Sequence, residues 1–321
     1  MERQPGKGPG KAETILLAEV AREYYFGGRS KTEIAKDFAL SRFSIARMLD
    51  DARTFGVVNI EIRDPSAWSS ASGEQIASFL GVQSVQVVAT DPSDASEGAE
   101  RLGRAVFHVL RQLIRPNMTL GISWSRTLEL SANFIPELPP CDIVQLAGAV
   151  QGLRAGNLLK MITEVGQSPG IHTWPIFAPL VVDEAPTARD LKRQPEIAET
   201  LQKADSLDLA VVAIGAWSPG ESTVWDKVST TDRASGTAAG AVAEISGRLI
   251  SSDGVAIHTA LDDRIIGVTI DQLARAQRVI AVAHGAGRVN AVRAAVRAGI
   301  VDRLVVDSAL GEALINEFQD G

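Results

Sequence analysis

The chain has a single cysteine, Cys141. It can form no intramolecular disulfide and no cysteine-based metal site, which fits a reducing compartment such as the cytoplasm. It also lacks any apolar run long enough to span a bilayer. The N-terminal stretch MERQPGKGPGKAE has no apolar core, so it reads as a flexible tail and not as a signal peptide. The four histidines, His108, His172, His258 and His284, stand at no metal-ligand spacing. No internal repeat is visible, and no low-complexity segment beyond that tail. These absences leave a soluble globular protein, with no metal, cofactor or catalytic constellation expected.

What is present is a chain of 321 residues, 45% hydrophobic and 22% charged, enough for about two domains. The formal net charge of -7 is uneven. Residues 1 to 63 carry 11 Lys/Arg against 9 Asp/Glu, while the remaining 258 residues carry 21 against 30. A near-neutral head on an acidic body points to two parts with different partners.

Within the head, Ile15, Leu16, Ala18, Val20, Ala21 and Tyr24 follow helical spacing, and Gly27-Gly28 stops that helix. Ser30 can cap a second helix, with Glu33 completing a capping box. Ala39-Leu40 forms a turn, and Ser41 caps a third helix running to about Thr54. "VVNIEIRD" then alternates like a short strand. Two helices joined by about three residues form a helix-turn-helix, whose second helix enters the major groove of double-stranded DNA. Ser41, Arg42, Phe43, Ser44 and Arg47 stand on the exposed first turns, where an arginine can read guanine edges bidentately. Lys31, Lys36 and Arg53 are placed for phosphate contact. A local positive field acts within about 10 Å at ordinary salt, so a distant acidic domain does not cancel it. The alternative is a helical hairpin with solvated cations.

The expected division is a tail over 1–12, a helix-turn-helix domain over 13–63, a linker over 64–75 ("DPSAWSSASGEQ") and an effector domain over 76–321. Beyond the linker, Val/Ile-rich runs alternate with helical stretches near 95–114, 126–134 and 155–166. This rhythm predicts an α/β domain with a parallel sheet covered on both faces. The block from Val242 to Ile270 reads as a β-rich insertion. In such a sheet, ligands bind outside the carboxyl ends of the strands. Three strand ends stand out: "LGISWSRTLEL", with Ser123, Trp124, Ser125, Arg126 and Thr127; "AHGAGRVNAV", with Gly285, Gly287 and Arg288; and "LAGAVQGLRAGN", with Gly148. Glu244 and Arg264, in the insertion, could face the same pocket.

Helix-turn-helix, linker and strand-helix domain together resemble the SorC family of bacterial transcriptional regulators, over about residues 13 to 318. The likeness rests on "SKTEIAKDFALSRFSIARMLDDARTFGVVNIEI", "LGISWSRTL", "AEISGRLISSDG", "LDDRIIGVTIDQL" and "AHGAGRVNAVRAAVRAGIVDRLVVDSALGEAL", in that order. It implies a fold like that of ribose-5-phosphate isomerase and glucosamine-6-phosphate deaminase, a sugar-phosphate or polyol effector, and a homotetramer built as paired dimers. It also implies that Ser123, Arg126 and Thr127 hold the phosphate or its neighbour and that Glu244 accepts hydrogen bonds from sugar hydroxyls. Gly148 lies where the family often has a Gly pair, and Arg288 where it often has a lysine. Several positions depart from the family pattern: Ala46 for serine, Ser125 for glycine, and His284 and Ala286 around a single Gly. Arg288 cannot form a Schiff base, whereas a guanidinium suits bidentate anion binding. A sugar-phosphate isomerase, or an architectural DNA-binding oligomer without effector, stand as the alternatives to a regulator.

Overall fold

The computed structural model describes residues 11–58, 70–91, 93–123, 125–131, 135, 137–150, 166 and 168–319. It divides into two compact units, Met1–Asp64 and Pro65–Gly321.

The first unit contains α1 (Lys11–Tyr25), α2 (Lys31–Asp37) and α3 (Arg42–Thr54). Ser30 and Glu33 form the expected reciprocal cap. The Glu33 N–H donates to Ser30 Oγ at 3.3 Å, and the Ser30 N–H donates to the Glu33 carboxylate at 2.8 Å. Ala39 turns the chain in the left-handed region, at φ 52°, a conformation that costs a residue with a Cβ about 1–2 kcal/mol. Ser41 caps α3 by accepting the Ser44 N–H at 3.0 Å.

Leu17, Val20 and Ala21 of α1 pack on Ile34, Ala35, Ile45, Leu49 and Ala52. The face of α1 differs by one position from the sequence expectation. Leu17 is buried, while Ile15 and Leu16 are exposed at 53% and 37%. The run of apolar residues at 15 to 17 offers several registers, and the i, i+3, i+4 spacing of Leu17, Val20 and Ala21 wins. Val57 and Val58 pack against this core. The rest of the expected strand at 57–64 lies outside the described residues, as do Trp68 and, but for residue 166, the expected helix near 155–166.

The second unit opens with α4 (Ser70–Leu80), so the stretch read as a linker through Gln75 is helical from Ser70 onward. Its Ser/Gly composition suggested a loop, but tertiary packing overrides that propensity. Ile76 is fully buried, and Gly73 sits so close to the Val85 carbonyl that a Cβ there would stand 2.2 Å from it.

The chain continues through β1 (Ser84–Val88), α5 (Ala95–Leu113), β2 (Thr119–Ile122), α6 (Arg126–Leu130), β3 (Asp142–Gln145), β4 (His172–Trp174), α7 (Ala185–Lys192), α8 (Pro195–Lys203) and β5 (Leu209–Ala213). Then come β6 (Gly215–Ala216), α9 (Thr223–Lys227), α10 (Thr230–Ala238), β7 (Ala241–Ile245), β8 (Arg248–Ser251) and β9 (Ala256–Ile257). The last elements are α11 (Ile270–Arg275), β10 (Val279–Ala283), α12 (Val289–Arg297), β11 (Arg303–Asp307) and α13 (Ser308–Gln319).

Seven parallel strands run in the order β1-β11-β10-β5-β2-β3-β4. Successive residues feed opposite cores. Ala210, Val212, Leu304 and Val306 face one, and Leu209, Val211 and Val305 face the other. Burial on both faces explains the unbroken apolar runs in the sequence. Cys141, at the head of β3, is 3% exposed, and burial pushes its thiol up to about 11.

The expected insertion is a second, antiparallel sheet, β6-β7-β8-β9. Ser246 and Gly247, both at positive φ (53° and 87°), form the two-residue turn between β7 and β8. Arg248 fixes this hairpin. Buried at 6%, it donates to the carbonyls of Gly267 and Val268 and pairs with Asp262 at 2.7 Å.

Candidate functional site

The chain leaves β2 toward β3 on one side and returns from β4 to β5 on the other. The gap between β2 and β5 is therefore the topological switch point of the sheet, where open α/β folds take ligands. A cleft of about 100 Å³ lies there, at the carboxyl ends of β2, β5 and β10.

Four separate segments meet in it. Ser123, Ser125, Arg126 and Thr127 come from the end of β2 and the start of α6, and Glu221, Ser222 and Thr223 from the loop running into α9. Glu244, Ser246 and Gly247 come from the hairpin, and His284 and Arg288 from the turn after β10. Most of the polar lining is buried, with Ser123 at 1%, Thr127 at 3%, and Glu244 and Arg288 at 8% exposure.

The hairpin turn explains two of these contacts. Ser246 Oγ lies 2.7 Å from Ser123 Oγ, tying the insertion to the end of β2. The Gly247 N–H donates to Glu244 Oε1 at 2.5 Å, and Ser222 Oγ donates to Glu244 Oε2 at 2.9 Å. Burial raises the Glu244 carboxyl above the ordinary range, and these two donors oppose the shift. The carboxylate keeps further lone pairs for ligand hydroxyls.

Arg288 is held on every side. Its Nη1 lies 2.6 Å from Glu221 Oε2 and donates to the His284 carbonyl, and its Nη2 donates to the Glu221 carbonyl at 2.8 Å. Burial, with Arg288 and Arg126 nearby, pushes the His284 imidazole down to about 4, against the pull of Asp307. Arg126 is exposed at the mouth of the cleft and has no carboxylate partner among the described residues.

Of the ten residues expected for the effector, the cleft brings together Ser123, Ser125, Arg126, Thr127, Glu244 and Arg288. Three others do not line it. Gly148 donates its N–H to the Ile266 carbonyl and packs on the backbone of Ala178 and Pro179. Arg264 pairs with the buried Asp232 and donates to the carbonyls of Ala260 and Val182. The Gly285 N–H is taken by the Asp307 carboxylate at 2.9 Å. Trp124 lies outside the described residues.

Sequence reasoning missed Glu221, Ser222 and Ser246. Only Ser246 carried a local signal, since Ser-Gly between two alternating runs is a hairpin turn.

On the first unit, Phe43 and Arg47 are exposed on the side of α3 away from Ile45 and Leu49, Arg42 is exposed at its first turn, and Phe43 is 87% exposed. Ser44 is half-buried and its Oγ lies 2.9 Å from Ser41 Oγ. Two of the cations expected on phosphates are engaged within the unit: Lys31 sits 5.7 Å from the Tyr24 ring centroid, and Arg53 pairs with Asp50. Both are contacts that an exposed cation exchanges at little cost.

Residues 67–316 match the family described as "Putative sugar-binding domain". The chain is 25% identical over 314 residues to the "Deoxyribonucleoside regulator" of Bacillus subtilis (strain 168), spanning 94% of this chain and 98% of that protein. It is 26% identical over 314 residues to the "Transcriptional regulator LsrR" of Escherichia coli (strain K12), spanning 95% and 96%. In fold it is similar to the full-length sorbitol operon regulator SorC from Klebsiella pneumoniae, with a TM-score of 0.75 at 18% identity over 96% of this chain and 99% of that one. With the domain match covering most of its length and the helix-turn-helix in front of it, this chain belongs to the SorC family of sugar-binding transcriptional regulators.

Proposed function

We propose that this protein binds operator DNA through α3 and that a sugar-type effector, seated in the cleft between β2 and β5, sets how tightly it does so. One observation carries the reading: Ser123, Thr127, Ser222, Glu244 and Ser246 converge at the switch point of the parallel sheet, four of them buried below 8% exposure. Hydroxyls and a carboxylate with spare lone pairs are the groups that recognise a polyhydroxylated ligand.

In the head, Arg42 and Arg47 read base edges, while Lys36 and the caps of α2 and α3 sit over the phosphates. A single helix-turn-helix covers one half-site, so two heads act together on half-sites about 34 Å apart or a multiple of it. We take the assembly to be a homotetramer of paired dimers working in the cytoplasm. The effector acts by binding two arrangements of that assembly unequally, since a ligand with equal affinity for both shifts nothing.

The protein is read as a regulator and not as an enzyme. The helix-turn-helix that precedes the effector domain in the chain, and relatives named as transcriptional regulators, support this.

The test is fluorescence anisotropy of the full chain on DNA selected from a random pool, with and without a panel of sugars and polyols. A selected sequence whose affinity changes with one panel member is the expected result. Loss of the reading follows if no sequence is enriched, or if the purified protein turns over ribose 5-phosphate or glucosamine 6-phosphate.

A further inference from the structure

Besides the exposed Arg126, two groups at the end of β10 could take an effector phosphate, and both are already engaged by carboxylates of the chain itself. The first is the Arg288 guanidinium. Its Nη1 lies 2.6 Å from Glu221 Oε2, and its remaining contacts go to the carbonyls of Glu221 and His284. The second is the backbone of the Gly285–Arg288 turn, which opens α12. The Gly285 N–H donates to Asp307, at 2.9 and 3.1 Å from its two oxygens. A Cβ on Gly287 would stand 3.2 Å from Glu221 Oε1, so the Glu221 carboxylate rests directly on this turn.

The buried cation of the cleft already has its counter-ion. Arg288 is 8% exposed and matched by Glu221. Arg126 stands at the exposed mouth, outside this buried pair. A phosphate dianion entering here would meet no uncommitted buried cation. It would have to expel Glu221, whose side chain is 32% exposed, from Arg288 or sit beside it, and like charges at such distances repel. The inner wall, by contrast, offers Ser123, Thr127, Ser222, Ser246 and the lone pairs of Glu244, which need nothing from the ligand but hydroxyls.

We infer that Glu221 is a specificity-determining residue of this cleft: its carboxylate stands where an effector phosphate would bind, so the ligand is an unphosphorylated sugar or polyol and the phosphorylated counterpart is rejected. This rests on the proposed sugar site, and it narrows the effector class of that site. Rejection by an internal carboxylate works through an unfavourable contact with the wrong ligand, added to the favourable contacts with the right one.

The experiment is isothermal titration calorimetry on the full chain, wild type and Glu221→Gln, against free pentoses, hexoses and four- to six-carbon polyols, their monophosphates, and inorganic phosphate. The glutamine keeps the shape of the side chain and removes its charge. For the wild type, a free panel member binds and its monophosphate binds at least about tenfold more weakly. In Glu221→Gln that ratio collapses or inverts, and inorganic phosphate gains measurable affinity. Wild-type protein that prefers the monophosphate overturns the inference while keeping the sugar site. A variant that gains no affinity for either phosphate also overturns it. A panel silent on both proteins, inorganic phosphate included, overturns the inference and the sugar site together. The wild-type arm decides the preference even if the variant folds poorly.

Discussion

The head and the effector domain put their functional side chains in opposite environments. On α3 the reading groups stand in solvent: Arg42 and Arg47 are exposed, and Phe43 is 87% exposed. In the cleft they are withdrawn from it, with Ser123 at 1% and Thr127 at 3%. DNA is a large, stiff polyanion that comes to the protein surface, so its reader needs only a rigid helix and outward cations. A small hydroxylated ligand must be surrounded, so its reader draws on several chain segments and leaves few polar groups without a partner. The contrast also governs cost. A solvated arginine can be changed without disturbing the fold, whereas each polar group in the cleft is part of the packing.

The largest break in this comparison comes from Ile45, fully buried between the helices of the head. Ile45→Ala should cost about 2–5 kcal/mol. In calorimetry the transition of the head should fall or vanish while that of the effector domain keeps its midpoint, and DNA binding should be lost. A single shifted transition would mean the two units unfold as one.

Next comes pH. His284 is pushed down to about 4, below its ordinary value of 6.5. Between those values the unfolded chain binds more protons than the folded one, so stability is full above about pH 6.5 and falls as the pH drops toward 4. The loss attributable to this group is at most about 3 kcal/mol. His284→Asn should flatten the dependence of the effector-domain midpoint on pH in that window, and an unchanged slope would refute the assignment.

Arg47→Ala should weaken operator binding by about 1–3 kcal/mol and relax preference at one base position, with effector affinity unchanged. Equal loss on every DNA sequence would turn Arg47 from a base reader into a phosphate contact. The smallest effect belongs to the cap: Ser41→Ala should lower head stability by about 1 kcal/mol in chemical denaturation.

The same contrast explains what could be read from the sequence. The head was legible because its determinants are local. Ser30 with Glu33, the tight turn at Ala39 and Ser41 each act within four residues. The parallel sheet was legible because strands buried on both faces must be continuously apolar, as at Leu209–Ala213 and Val279–Ala283. In the cleft, the segment from Ser123 to Thr127 announced itself as a strand end running into a helix.

Arg264 misled, since a charged residue in the insertion gives no sign that its partner is Asp232, 32 residues earlier. Gly148 misled for a related reason: a small residue after a strand can admit a ligand or another backbone, and here it admits the carbonyls of Ala178 and Pro179. Glu221 was invisible. Its role depends on Arg288, which lies 67 residues further along, and nothing in its own neighbourhood distinguishes it from a surface carboxylate.

Cys141 has a practical consequence. Its thiol is 3% exposed and pushed up to about 11, so at neutral pH almost none is the reactive thiolate. The protein is therefore a ready scaffold for site-specific labelling. A cysteine placed at Phe43 would be the one that maleimide dyes modify quickly, so a fluorophore could report DNA docking in real time without first stripping the native thiol.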